Sequence, residues 1–398
     1  MDVSEALRQL LDESHDARPE DLPDMVGQIA PLLDVTDIVI HVVDHQQRVL
    51  VPIMPAGAPE RDVIAVDGTV AGRAFSLVTV QEVAGDDAVT LWIPLLDGTD
   101  RQGVLQVVAP VVDDRTRRDC AAVATLLAEM LITRSLYGDL IERLRRRATM
   151  TVPAELIRSQ LPPLTFASGR VVISGLLEPC YDVGGDAFDY AVNGNVAHLA
   201  LFDAVGHGHG AGAGMQAAVL ASVALAAYRN ARRGDLDLAG TYGHVDRVVR
   251  DHDRAGLITG IFAELDQVSG VLRVISAGHP GGLIIRDGAV VRTLPTPTAL
   301  PVSMGDLRAP AIVDESLQPG DHVLLYTDGV TEARTEDGEF FGVDRLAEFV
   351  VRAVADGLSA PETTRRLVHA ILDYQNNVLQ DDATILLVQW LADSSLRP

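Results

Sequence analysis

Apolar residues over positions 3–33 recur at helical spacing. Val3, Leu7, Leu10 and Leu11 are followed by Met25, Ile29, Leu32 and Leu33, which predicts two helices. Strand patterns then take over. The runs 38–43 and 48–53 predict a strand and its partner, 62–66 a third strand, and 68–75 a short capped helix. Two further runs, 89–96 and 103–108, flank the turn Asp97-Gly98 as a closing hairpin. From 113 to about 160 the chain is helix-rich. There Leu126, Met130, Thr133, Tyr137, Leu140 and Leu144 alternate steps of four and three, the seam of a coiled coil. The seam supports two readings: a parallel two-stranded linker that makes a dimer, or one amphipathic helix packed on the domain before it. Polar Thr133 and helix-weakening Gly138 interrupt it, and Pro153 and Pro162-Pro163 mark its breaks. The domain boundary is expected within 150–165.

The second half reads as strands, two alanine-rich helical stretches, then strands again. Strands are expected over 171–176, 261–266, 271–276, 282–285, 289–294 and 385–390, and helices over 213–229, 343–355 and 361–374. The stretch 182–212 organises the rest. It holds Gly184-Gly185-Asp186 and Asp203-Ala204-Val205-Gly206-His207-Gly208, separated by an alternating apolar run and the turn Asn193-Gly194-Asn195. A hairpin there brings one carboxylate from each strand to the same end. Two aspartates pushed together repel, and a divalent cation between them relieves the repulsion. For either motif alone, a glycine-rich turn with solvated acids explains the pattern as well. Two later strand ends change that balance, because Asp328 follows an apolar strand and Asp381-Asp382 precede the last one. Four strand ends with acids, and no His/Cys spacing, point to hard oxygen donors and so to Mg²⁺ or Mn²⁺ rather than zinc.

Composition narrows the classes further. A chain of 398 residues exceeds one typical domain. Its net charge of −24 excludes the basic face of a nucleic-acid binder, and the chain contains no lysine. Arg143 and Arg145–Arg147 are accordingly read as a solvated, salt-bridged helix end. Cys120 and Cys180 give neither a disulfide framework nor a zinc spacing; Cys180, beside Tyr181, reads as a small buried side chain. His41 and His45 are read as polar positions on or beside a strand, with a haem or metal pair as the alternative. No signal segment or spanning run is present in the pattern, so a cytoplasmic protein without membrane insertion is expected.

Two resemblances follow from these residues. The GTVAGRAF turn and the IPLLDG…GVLQVV hairpin resemble a GAF sensor domain over roughly residues 20–135. GGDAFDY, DAVGHGHG, SAGHP, LLYTDGVTEA and QDDATILLV, in that order, resemble the signature set of the metal-dependent (PPM-class) protein serine phosphatases, in the bacterial SpoIIE/RsbU branch, over 155–392. The implied class is α+β: a GAF-like α/β sensor over 1–112, a helical linker over 113–160, and over 161–398 a β-sandwich flanked by helices. The resemblance implies two Mn²⁺ or Mg²⁺ ions, with Asp203 bridging both and the Ala204 carbonyl as a further ligand. Asp186 would serve one ion, and Asp328 and Asp381 the other, with Asp382 beside them as a ligand or behind the ligands. His207 is placed either to protonate the leaving serine oxygen or to fix its loop; His279 is read as structural. The implied substrate is a phosphorylated anti-sigma-factor antagonist of the STAS type, the implied assembly a homodimer, and the implied input an unidentified small molecule or protein at the GAF-like domain. A catalytically silent phosphatase fold that binds a partner, and a hydrolase of small phosphate esters, remain as alternatives. The chain departs from the family at Ala204, where glycine is usual, and over 296–302, which lacks the glycines expected of the substrate-side loop.

Overall fold

The computed structural model describes residues 3–182, 184–205, 213–295, 298–305, 309–376 and 381–391. It divides into two compact units, Met1–Thr149 and Met150–Arg397. Among the described residues no helix is long and apolar enough to cross a membrane.

In the first unit the helical spacing yields α1 (Val3–Ser14) and α2 (Leu22–Ile29), the latter preceded and followed by a short 3₁₀ turn. Six strands follow, β1 (Asp37–Val43), β2 (Val49–Pro52), β3 (Ile64–Ala65), β4 (Gln81–Ala84), β5 (Val89–Asp97) and β6 (Asp100–Ala109). They form one antiparallel sheet of order β3-β2-β1-β6-β5-β4. Alternation along β1 sorts the two faces. Ile38, Ile40 and Val42 join the core of α1, α2, α4 (Asp114–Ser135) and α5 (Leu140–Arg145). Val43 packs with Phe75 of α3 (Val70–Leu77), Trp92 and Val104 on the other face. Thr69 caps α3, its hydroxyl accepting the Gly72 N–H at 2.9 Å. The edge strand β4 escapes the apolar pattern because it is exposed.

The expected seam does not run on as one helix. α4 stops at Ser135 and α5 resumes at Leu140, while Leu136 and Tyr137 between them are 77% exposed. Leu126, Met130, Leu140 and Leu144 pack into the unit's own core instead. Gly138 sits in the intervening turn, where its low helix propensity costs nothing. The arginines that follow are paired, Arg146 with Glu142 at 3.1 Å and Arg145 with the Val43 carbonyl at 3.1 Å. The two histidines do not form a metal pair. His41 lies edge-on to Trp92, with ring centroids 5.5 Å apart, whereas His45 Nε2 is 2.8 Å from Glu142 Oε1.

The second unit opens with α6 (Val152–Arg158) and holds two antiparallel sheets. One has the order β15-β12-β11-β10-β9, built from β9 (Asp186–Asn193), β10 (Val196–Ala204), β11 (Ile258–Asp266), β12 (Val271–Ala277) and β15 (Val313–Ser316). The other has the order β14-β13-β16-β17-β8-β7. It comprises β7 (Thr165–Ala167), β8 (Val171–Glu178), β13 (Leu283–Arg286), β14 (Ala289–Thr293), β16 (His322–Tyr326) and β17 (Ala383–Trp390). Along β16 and β17, Val323, Leu325, Leu386 and Val388 face the core shared with the first sheet. Leu324, Tyr326, Ile385 and Leu387 face the core of α10 (Gly342–Ala355) and α11 (Ala360–Tyr374). Behind the first sheet lie α7 (Ala213–Arg233) and α8 (Leu238–His252), the second of which the apolar pattern did not single out. Phe262 of β11 stacks edge-on with Phe202 at 5.3 Å and with Tyr242 of α8 at 5.8 Å. Ala217, Ala218, Ala221 and Ala224 are wholly buried, and their small size lets α7 close on the sheet. The second half is thus the sandwich flanked by helices that its motifs imply.

Candidate active site

Asp186 is the first residue of β9 and Asp203 the penultimate residue of β10, and the antiparallel register sets them directly opposite one another. Both are buried, at 2% and 9% exposure. Strand alternation fixes their face. Phe188, two residues after Asp186, points at Gly175 of the opposing sheet, so Asp186 also points inward between the sheets. Asp189, of opposite parity, points outward to α7, where Arg229 and Arg232 meet it at 2.7 and 2.8 Å.

The second sheet supplies the support. The Thr327 and Thr384 hydroxyls both donate to Asp186 Oδ2 at 2.7 Å, which leaves Oδ1 for another partner. Thr259 donates to Asp203 Oδ2 at 3.4 Å. Asp328 starts α9 (Asp328–Thr331) immediately after β16, and Gly329 packs so closely on the Asp382 carbonyl that a Cβ would sit 1.9 Å from that oxygen. The same imagined Cβ would lie 3.4 Å from the Asp381 Cβ, so Asp328, Asp381 and Asp382 share one corner. Asp382 is committed to the backbone. Its Oδ2 accepts N–H groups from Gly184 at 2.7 Å, Gly185 at 2.6 Å and Asp186 at 3.1 Å. Gly185 in turn presses on β10, a Cβ there meeting the Ala204 carbonyl oxygen at 2.2 Å.

The electrostatics are those of acids short of positive charge. Burial, then the charges of Asp203 and Asp382, hold the Asp186 carboxyl well above the usual carboxylate range, against the pull of the two threonine hydroxyls. Burial raises Asp382 to about 6, opposed by its three N–H donors. An oxygen-only donor set with this mutual repulsion fits hard divalent cations, which would remove the penalty. Among the described residues no trio of His, Cys, Asp or Glu is gathered closely enough to hold an ion. The two aspartate clusters are instead coupled through Thr327, Thr384 and Asp382. His207 lies outside the described residues. His279 is buried, with Nδ1 facing the Pro280 carbonyl at 3.1 Å. The threonines were present in the LLYTDG and DDAT motifs, but nothing in spacing marked their hydroxyls as supports for an aspartate 141 and 198 residues away.

Residues 194–391 match the family model described as Stage II sporulation protein E (SpoIIE). The matched stretch contains Asp203, Asp328, Asp381 and Asp382, while Asp186 precedes it. Phosphoserine phosphatase RsbU of Bacillus subtilis (strain 168) is 24% identical over 221 residues, 54% of this chain and 62% of that protein. Protein IcfG of Synechocystis sp. is 35% identical over 104 residues, 26% of this chain and 16% of that one. Among solved structures, the RsbU and RsbW domains of Rv1364c from Mycobacterium tuberculosis are 25% identical, over 59% of this chain and 64% of that one, with a TM-score of 0.48. The chain spans less than two thirds of the length of each.

Proposed function

We propose that this chain is a metal-dependent protein serine/threonine phosphatase acting on a phosphorylated regulatory protein, an anti-sigma-factor antagonist of the STAS type. The observation that carries the reading is the buried Asp186–Asp203 pair at the sandwich end, tied to the second acidic corner by Thr327, Thr384 and Asp382. Asp186, Asp203, the Ala204 carbonyl, Asp328 and Asp381 would hold two Mn²⁺ or Mg²⁺ ions. When bound, these supply positive charge for the phosphoryl oxygens and acidify a water to near neutrality.

The protein's own part is orientation. The two threonine hydroxyls fix the Asp186 carboxylate, Asp382 fixes the loop before β9, and Gly185 lets that loop lie on β10. Burial keeps bulk water from the carboxylates, so charge acts there through a low dielectric. His207 is assigned to protonate the leaving serine oxygen, its ordinary pKa lying near neutrality. In the first unit, a six-stranded antiparallel sheet with α1, α2 and α4 on one face and α3 on the other supports the GAF-like reading, and with it an input role in a cytoplasmic, dimeric protein.

The test is release of phosphate from a phosphoserine STAS-domain protein with Mn²⁺, with EDTA, and by Asp203→Asn. Metal-dependent release abolished by the substitution is expected. Partner binding without release under any metal would turn the reading to a catalytically silent binding protein. Turnover of p-nitrophenyl phosphate alone would turn it to a hydrolase of small esters.

A further inference from the structure

In the first unit, β1 is paired on its β2 side along only part of its length. Both backbone groups of a residue in an antiparallel strand point to the same side, and successive residues alternate. The even-numbered residues of β1 turn toward β2. Just past the strand, the Asp44 N–H donates to the Val49 carbonyl at 3.0 Å, and the Ile40 carbonyl accepts the Ile53 N–H at 2.8 Å. β2 ends at Pro52, opposite His41. Ile38, two residues before Ile40, therefore turns its N–H and C=O toward a side where no strand remains. Among the described residues no group on that side bonds to either.

The sequence keeps this edge open. Pro55 and Pro59 lack an N–H, so the segment after Ile53 does not continue the ladder. It turns away instead, the Ala58 N–H donating to the Pro55 carbonyl at 3.1 Å with Gly57 at φ 77°. It returns to the start of β1, where Arg61 donates to Asp37 Oδ2 at 2.9 Å. The segment is thus tied to β1 at both ends and bowed off it between them. α2 closes the third side through Pro23, Val26 and Gly27, and the space enclosed is a groove of about 310 Å³. Gly27 lies inside α2, where glycine weakens a helix relative to alanine. A Cβ there would meet nothing within 4 Å, so no neighbour needs the missing side chain, and its absence serves only the groove.

We infer that this groove binds a small, neutral, largely apolar molecule with a lactam face, whose C=O accepts from Ile38 and whose N–H donates to it. Three features select that class. A cis amide presents donor and acceptor side by side, as the open backbone of Ile38 does, and pairing them removes the cost of leaving them unmet in an apolar groove. Asp37 and Arg61, the charged residues of the lining, already pair with each other, and the chain's net charge of −24 disfavours anions. The volume lies at the low end of ligand pockets, about 300–1,000 Å³, which suits a compound of one or two rings rather than a peptide strand. Val26, Ile40, Pro55 and the adaptable thioether of Met54 supply the apolar walls. The first unit forms this site alone, so its ligand is independent of the phosphatase reading.

The experiment records methyl NMR spectra of the full chain, labelled at isoleucine δ1 and methionine ε methyls, with Ile38, Ile53 and Met54 as reporters. The probes are δ-valerolactam and 3,4-dihydroquinolin-2-one, each beside its N-methyl form. Saturable shifts of the three reporters are expected with the dihydroquinolinone, at a Kd of about 1 mM or tighter. The N-methyl form, which has no N–H to give, should bind at least about tenfold more weakly. Gly27→Phe fills the groove from α2 and should abolish the shifts while keeping the circular dichroism of the wild type. No saturable shift with either lactam, or shifts confined to other methyls, overturns the site. Equal affinity of the N-methyl form overturns recognition through Ile38, and full binding by Gly27→Phe overturns the groove. Should that variant not fold, Gly27→Leu replaces it, and the N-methyl comparison decides in the wild type either way.

Discussion

The Gly185 N–H donates to Asp382 Oδ2 at 2.6 Å, across 197 residues of sequence. The bond joins the loop before β9 to the start of β17, and so one sheet of the sandwich to the other. Asp382→Ala leaves three N–H groups without that acceptor, two of them buried. Each such loss costs about 1–3 kcal/mol, so a fall of several kcal/mol in second-unit stability is expected by chemical denaturation. Phosphatase activity should vanish with it. Asp382→Asn keeps one acceptor oxygen and should fall between the two.

Thr327 and Thr384 make equivalent bonds to one oxygen of Asp186, both at 2.7 Å. Hydrogen bonds to a ligand from behind tune metal affinity by about 10–100-fold. Thr327→Val and Thr384→Val should each raise the Mn²⁺ concentration for half-activation by about tenfold, and the double variant by more. A Mn²⁺ titration followed by both activity and calorimetry separates weaker binding from slower chemistry. Unchanged Mn²⁺ affinity in the double variant would remove Asp186 from the proposed ligands.

Gly185→Ala tests the close approach of the loop to β10. An added Cβ lands 2.2 Å from the Ala204 carbonyl oxygen, a contact that only backbone movement relieves. That movement displaces both Asp186 and the Ala204 carbonyl. Activity should fall by about 100-fold or more, the scale of an ångström-sized misplacement. Far-ultraviolet circular dichroism should stay that of the wild type.

How much of this could be read from the sequence depended on the kind of signal. Strands such as β10 and β17 announced themselves because alternation and turn residues are local, and the hairpin of Asp186 and Asp203 followed from Asn193-Gly194. β4 and β15 were silent because exposed edge strands need no apolar pattern. The 126–144 seam left two readings open for a related reason. Its spacing describes a buried stripe, but not whether a second copy or the same unit's sheet covers it, and Gly138 was the clue to the break. The supports of Asp186 were invisible in another way, since a hydroxyl's partner nearly 200 residues distant is fixed by topology alone.

Buried His41 and His279 make stability fall with pH before the carboxylates titrate. Burial pushes His41 down to about 4, opposed by a backbone bond at Val39, and burial likewise pushes His279 to about 4 against the Pro280 carbonyl. Both stay neutral in the native state at pH values where the unfolded chain, with an ordinary value of 6.5, already binds a proton. Stability from each is therefore complete above pH 6.5 and declines as pH falls through the interval down to about 4. The upper bound is roughly 3 kcal/mol per site, at 1.36 kcal/mol for each pH unit. Carboxylates dominate below about pH 5, so the diagnostic window is pH 6.5 to 5. His41→Gln in the first unit and His279→Gln in the second should each flatten the slope of unfolding free energy against pH in that window, whatever they do to stability at neutral pH. Slopes identical to wild type would mean that these rings bind protons equally in the native and unfolded states.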